Sequence, residues 1–145
     1  MRDLSQSLED YLEAVYALCS ESGATRAGLI GARLNVSKPS VNAALKTLAA
    51  RGLLEHEHYG GVRLSPGGLA RGAEIAGRHA LLKDFFVAIL DMPSPLAEQD
   101  ACRAEHALSG EALRRMEALA GFLKAPARAR LLASARAAVK KGARK

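Results

Sequence analysis

The run Asn35-Val36-Ser37-Lys38-Pro39 constrains the fold of this chain more than any other stretch. Asn35-Val36 makes a tight turn. Ser37 then supplies an N-cap, and Pro39 falls in the first turn of the next helix, where a missing N–H costs nothing. A helix therefore opens here directly behind a short one over about 26–34. Its inward stripe is Val41, Ala44, Leu45 and Leu48, and Gly52 stops it. Upstream, Leu8, Tyr11, Leu12, Val15 and Leu18 fall at helical spacing, which predicts a helix over about 6–21 with Ser5 or Ser7 as N-cap and Ser22-Gly23 at its end. Downstream, two short strands over about 53–58 and 62–65 flank Tyr59-Gly60-Gly61, a hairpin signal. Helix, turn, helix and hairpin in this order make a winged helix-turn-helix.

The rest of the chain reads as helices. Ser65-Pro66 opens a long one over about 66–90, and Met92-Pro93-Ser94-Pro95 is the clearest break in the sequence. A helix over about 95–107 follows. Ser109 caps another that runs to about 123, and Pro126 interrupts before a basic tail. Ala and Leu dominate and aromatics are only 4% of residues, which favours helix over sheet. The fold class is mainly α with a small β-hairpin wing: a winged helix-turn-helix domain at 1–70, an all-helical domain at 71–123, and a tail at 124–145.

The charge is unevenly placed. The last 22 residues hold eight cations and no acid; removing those eight from the chain's 21 leaves 13 against 15 acids. The net charge of +6 thus reports the tail, which either forms a short helix around Leu131, Leu132 and Val139 that adds phosphate contact, or is a disordered solubilising extension. Cys19 and Cys102 lie too far apart in sequence to suggest a disulfide framework, and Cys19 reads as core. The N-terminus lacks a signal-peptide pattern and the longest apolar run, Phe85 to Leu90, is far too short to span a bilayer, so the expectation is a cytoplasmic protein with no membrane partner.

Between Ala24 and Leu54 there are five cations (Arg26, Arg33, Lys38, Lys46, Arg51) and no acid. This excess coincides with the recognition element and is the footprint that phosphate contact requires. The amino end of the third helix is expected in the major groove of double-stranded DNA, with Ser37, Lys38, Ser40 and Asn42 reaching base edges or phosphates and Pro39 packing on a thymine methyl. Lys46, Arg51 and Arg26 suit backbone phosphates, and Arg63 with the Tyr59-Gly60-Gly61 tip are the wing candidates. The bland alternative is a three-helix bundle with solvated cations.

Cys102-Arg103-Ala104-Glu105-His106 places a thiol, a carboxylate and an imidazole at i, i+3 and i+4, on one helical surface. These side chains bind first-row transition metals well. Each also has a plain reading: Asp10, three after Ser7, as half of a capping box; Glu13 as a solvent-facing residue; His79 as a hydrogen-bonded core histidine; Cys102 as a small buried hydrophobe. Glu55-His56-Glu57-His58 puts two imidazoles on one strand face but reads as wing surface.

Three stretches resemble one family. Ser7-Leu8-Glu9-Asp10-Tyr11-Leu12-Glu13-Ala14-Val15-Tyr16 is similar to the first helix of the diphtheria-toxin-repressor and manganese-transport-regulator (DtxR/MntR) family. Gly77-Arg78-His79-Ala80-Leu81-Leu82 resembles the start of its metal-domain motif, and Ala101-Cys102-Arg103-Ala104-Glu105-His106 with Ser109 resembles its signature metal helix. The motifs occur in the family's order and spacing across about residues 4–123.

The resemblance implies metal ligands at Asp10, Glu13, His79, Cys102, Glu105 and His106, with Glu105 bridging two adjacent divalent ions per subunit and the Cys102 carbonyl also contributing. It implies a homodimer joined through the helices at about 95–123 by residues such as Leu108, Leu113, Met116 and Leu119, and a metal that bridges the first helix to the later ones so that the recognition helices match a palindromic operator. Two departures bear on the metal. The iron-responsive branch carries methionine at the place of Asp10, and a glutamate and a histidine at the places of Lys83 and Glu98, so its ancillary site is not expected. The manganese-responsive branch has carboxylates matching Asp10 and Glu13 but a third at the place of Cys102. Carboxylates favour Mn²⁺, while a thiolate raises affinity for Fe²⁺ and softer ions, so Fe²⁺ and Mn²⁺ both stay open. The chain also ends before the SH3-like third domain of longer members.

The expectation is a metal-dependent DNA-binding transcriptional regulator, a repressor of metal-uptake or metal-homeostasis genes, with no catalytic residues and no small organic substrate. The rivals are a metal-independent winged-helix regulator sensing oxidation through Cys102, a zinc hydrolase with Glu105 as general base, and a metal-buffering or protein-interaction module.

Overall fold

The structure is a computed structural model that describes residues 4–56 and 61–143. It divides into two compact units, Met1–Ala76 and Gly77–Lys145, and the boundary falls inside one helix.

The first unit opens with α1 (Gln6–Ser22), capped by Ser5, whose hydroxyl accepts from the Leu8 N–H, and closed by Gly23 at φ 77°. Ser5 as the cap removes the reading of Asp10 as half of a box with Ser7. α2 (Ala27–Leu34) ends on Asn35 in the left-handed region at φ 53°, a conformation Asn tolerates. Ser37 caps α3 (Lys38–Ala50) by accepting from the Ser40 N–H, and Pro39 sits in its first turn. The stripe Val41, Ala44, Leu45 and Leu48 is buried, against Leu12, Val15 and Ile30 of the neighbouring helices.

β1 (Leu54–His56) and β2 (Val62–Leu64) pair antiparallel with Leu54 opposite Leu64 and Glu55 opposite Arg63. Among the described residues β1 starts one residue after, and β2 ends one residue before, the bounds that the sequence predicts. Tyr59, Gly60, Glu57 and His58 lie outside the described residues, so the hairpin tip and most of the Glu55–His58 run carry no structural account. A third segment closes the wing: Thr25 and Val62 exchange both backbone bonds, at 2.9 and 2.8 Å.

α4 (Pro66–Ala88) starts tightly against this unit. Ser65 donates its hydroxyl to the Gly52 carbonyl at 2.6 Å and accepts from the Gly68 N–H at 3.0 Å. A Cβ on Gly68 would lie 1.9 Å from the Leu53 carbonyl oxygen, and one on Gly72 would lie 2.8 Å from the Tyr16 Cβ. Both positions need glycine because backbone and a ring base stand where a methyl would go. Buried Glu9 is matched by Arg71, with Nη2 to Oε1 at 2.6 Å, and Arg71 also binds Glu74 at 2.7 Å. Sequence reading had no signal for this pair, since its members are 62 residues apart.

The second unit contains the end of α4, α5 (Ser94–Ala104), α6 (Gly110–Lys124), a 3₁₀ turn at Pro126–Arg128 and α7 (Ala129–Gly142). Leu82, Ala101 and Leu113 form one apolar cluster; Phe85, Ile89, Ala120 and Leu123 form another, with Leu132 of α7 packed against it. The basic tail is helical from Ala129 to Gly142, as Leu131, Leu132 and Val139 allow, which removes the disordered reading for those residues. Asp91, at φ 56°, follows α4 and accepts from Arg136, with Lys140 Nζ 3.7 Å from its other oxygen. The Arg136 hydrogen bond holds the Asp91 carboxyl below the usual range.

One expectation about the dimer face changes. Leu113 points into the unit's own core, and Leu108 and Met116 pack against the clusters, while Leu119 and Phe122 are about half exposed. The i, i+3 spacing of α6 is shared by its inner and outer faces, and only packing separates them.

Gly68→Ala is expected to lower unfolding stability by about 1–3 kcal/mol through overpacking against backbone. Gly121→Ala, inside α6 with open space at its Cβ, is expected to be neutral or to stabilise by about 0.5–1 kcal/mol. Urea denaturation of both variants checks the contrast; equal midpoints would show that α4 does not depend on the close approach at Leu53.

Candidate metal centre and nucleic-acid interface

α5 ends at Ala104, but Glu105 keeps helical backbone angles and donates its N–H to the Ala101 carbonyl at 3.0 Å. The chain then turns through His106 and Leu108 to the Ser109 cap of α6. The Glu105 side chain is buried, 1% exposed. Cys102, one turn earlier, is exposed, which removes its reading as a buried hydrophobe.

Two imidazoles converge on the buried carboxylate. His79, on α4, places Nδ1 2.8 Å from Glu105 Oε2, and His106 places Nε2 3.2 Å from Glu105 Oε1. Each oxygen of one carboxylate thus faces a ring nitrogen of a different histidine. The two imidazole side chains are 16% and 6% exposed. A carboxylate so far from water must be balanced by positive charge. A divalent cation held between the carboxylate and the two ring nitrogens would supply it.

This donor set fits a first-row divalent ion. Neutral imidazole suits transition metals, a carboxylate can bridge two of them, and their convergence inside one unit needs no rearrangement of the backbone. Alkaline-earth ions prefer all-oxygen cages and fit it less well.

The other proposed ligands are placed as follows. Asp10 and Glu13 stand one turn apart on α1, both half-buried. Cys102 stands on α5 one turn before Glu105. Sequence reading passed over Glu98 as a feature of the site. Its Oε1 is 2.9 Å from His79 Nε2, and its Oε2 is 2.6 Å from Lys83 Nζ. The Lys83 hydrogen bond, followed by that from His79, holds the Glu98 carboxyl below its ordinary value. The i, i+4 relation of His79 to Lys83 was the available signal; the partner on α5 was not visible in sequence.

The nucleic-acid candidates all lie on the surface. Arg26, Ser37, Lys38, Pro39, Ser40, Asn42, Lys46, Arg51 and Arg63 are exposed, while the alternate face of α3 is buried. Ser37 and Ser40 hydroxyls lie 2.9 Å apart, so part of their hydrogen-bonding capacity serves the cap. The exposed face of α3 carries Lys38, Asn42 and Lys46 and no acid.

A helix-turn-helix with a closed wing, followed in sequence by a helical unit holding a histidine-flanked carboxylate, defines a winged-helix regulator with a metal-binding unit. Comparison with known proteins agrees. Residues 3–62 match the iron-dependent repressor N-terminal DNA-binding domain, and residues 65–128 match the iron-dependent repressor metal-binding and dimerisation domain. The chain belongs to this DtxR/MntR family of metal-dependent, DNA-binding transcriptional regulators, whose members are not enzymes.

Among its relatives, an uncharacterized HTH-type transcriptional regulator of Methanocaldococcus jannaschii is 33% identical over 115 residues, covering 79% of this chain and 92% of that one. The transcriptional regulator MntR of Escherichia coli is 36% identical over 106 residues, covering 73% and 68%. Among solved structures, IdeR of T. acidophilum superposes with a TM-score of 0.72 at 23% identity over 83% of this chain, a likeness of fold. A manganese-dependent transcriptional repressor in complex with manganese superposes with a TM-score of 0.71 at 26% identity over 79% of this chain. The chain spans 56% and 53% of those two longer chains.

Glu105→Ala is expected to weaken Mn²⁺ binding on the order of 100-fold or more, since it removes the one group that both imidazoles face. Isothermal titration of the purified chain checks this; retained affinity would place the ion elsewhere.

Proposed function

We propose that this protein is a repressor of metal-uptake or metal-homeostasis genes that binds a palindromic operator as a homodimer when loaded with Fe²⁺ or Mn²⁺. The observation that carries the reading is the buried Glu105 carboxylate between His79 and His106. In the same reading Asp10, Glu13, His79, Cys102, Glu105 and His106 are the ligands, and two ions bind each subunit. Residues 1–70 form the DNA-reading domain, 71–123 the metal-binding and dimerisation domain, and 124–145 a basic tail. The proposal places the protein in the cytoplasm; among the described residues no helix is long and apolar enough to cross a membrane.

Bound metal would supply two positive charges at the buried carboxylate and so favour the ligands' assembled arrangement. The chain's own residues do the rest. His79 and His106 offer ring nitrogens on either side of the Glu105 carboxylate, 2.8 and 3.2 Å from its two oxygens. On α3, Lys38 and Lys46 contribute phosphate contact, and Ser40 and Asn42 reach toward base edges. Metal then shifts a population toward the operator-binding dimer through its differential affinity for that state, and by reciprocity operator DNA tightens metal binding.

Exposed Cys102 keeps one rival reading in play, a regulator that responds to thiol oxidation without metal. Anaerobic selection of genomic DNA fragments by the purified protein, first in chelator and then with Fe²⁺ or Mn²⁺, separates the two. Metal-dependent retention of a palindromic site is the expected result. Equal retention in chelator would overturn the metal switch and favour the thiol reading.

Cys102→Glu is expected to move selectivity toward Mn²⁺, because it exchanges a soft donor for a hard one. Competition titrations with Mn²⁺ and Co²⁺ check it, and an unchanged preference would remove the thiolate from the ligand set.

A further inference from the structure

We propose that Glu98 is a positioning residue for the metal centre: it accepts the Nε2–H of His79 and so fixes the ring in the tautomer that presents Nδ1 to the ion, with Lys83 holding Glu98 in place. The proposal rests on the metal-dependent reading above.

A neutral imidazole carries one N–H, yet both ring nitrogens of His79 stand within hydrogen-bond distance of a carboxylate: Nδ1 2.8 Å from Glu105 Oε2 and Nε2 2.9 Å from Glu98 Oε1. Only one can donate. If the proton sits on Nδ1, the ring hydrogen-bonds Glu105 and has no lone pair on the side where the buried carboxylate lies. If it sits on Nε2, Nδ1 is a free donor to a cation next to Glu105. A lone Glu105 would draw the proton to Nδ1, because a buried carboxylate is the stronger attractor. Glu98 offers a competing acceptor on the far side of the ring and makes the ligating tautomer available.

Lys83 completes the device. Its ammonium is 2.6 Å from Glu98 Oε2, leaving Oε1 for His79. Lys83 and Glu98 are four and nineteen residues from His79, on the same and the neighbouring helix, so the chain of contacts crosses from α4 to α5 and back to the ring. Metal-bound histidines generally have their other nitrogen anchored in this way, and losing the anchor typically weakens metal binding 10–100-fold. The Lys83–Glu98 pair is itself about half exposed and contributes little to folding. Its geometry is therefore better accounted for by the ring it orients than by stability.

Two measurements on the whole chain test this. In Mn²⁺ titrations, Glu98→Ala is expected to weaken binding about 10–100-fold. Glu98→Gln, which keeps an accepting oxygen, is expected to stay near the parent, and the metal-free melting temperature should move little in either variant. In long-range ¹⁵N–¹H spectra of the Zn²⁺-loaded parent, His79 should carry its proton on Nε2 and its metal on Nδ1. Equal Mn²⁺ affinity for Glu98→Ala and the parent, or a proton on Nδ1 in the loaded parent, would overturn the positioning role. A parent that takes up neither ion would instead overturn the metal reading, and this proposal with it. Should Glu98→Ala misfold, the spectrum of the loaded parent still decides.

Discussion

A carboxylate removed from water is the constraint on which the second unit depends. Glu105 is 1% exposed, and an isolated charge in that setting would be far too costly for so small a unit to tolerate. His79 from α4 and His106 from the turn after α5 each bring a ring nitrogen to one of its oxygens, at 2.8 and 3.2 Å. Packing of Leu82, Ala101 and Leu113 behind the site holds α4, α5 and α6 at the separation these contacts need. The same buried group thus anchors both the packing of the helical unit and the metal site proposed for it.

The reading unit is organised by backbone contacts instead. The pairing of Thr25 with Val62 ties the wing to the segment before α2, and the Cys19 thiol donates toward the same Val62 carbonyl at 3.7 Å. Gly68 and Gly72 let α4 lie against Leu53 and Tyr16 at distances no side chain would allow. With its inner stripe committed to this core, α3 has one face left for solvent, and that face carries the cations.

The tail shows how charge and packing combine. Arg136 and Lys140 converge on Asp91, whose left-handed backbone ends the α4 segment, and Leu132 enters the apolar cluster of Phe85, Ile89, Ala120 and Leu123. Arg128 stacks on the Phe122 ring at 3.8 Å and covers part of an otherwise exposed aromatic. Cations that read in sequence as a solvated run are partly spent on holding α7 to its own unit.

Much of this was legible in the sequence because the signals are local. Ser37 and Pro39 set the start of α3, Gly23 and Gly52 mark turns with positive φ, and the helical spacing of Leu12, Val15, Val41 and Leu48 names the core of the first unit, since capping, backbone freedom and periodicity act over a few residues. The ligand types at 102, 105 and 106 and the acid-free stretch around α3 were likewise written in the chain. What sequence could not decide was anything that depends on which distant side chains meet. Glu9 is paired by Arg71, Glu98 reaches His79 across two helices, Leu113 faces inward while Leu119 faces out, and the tail docks through Asp91. Local physics fixes where a helix begins and which residues share its face; only the packing of whole helices determines what that face will touch.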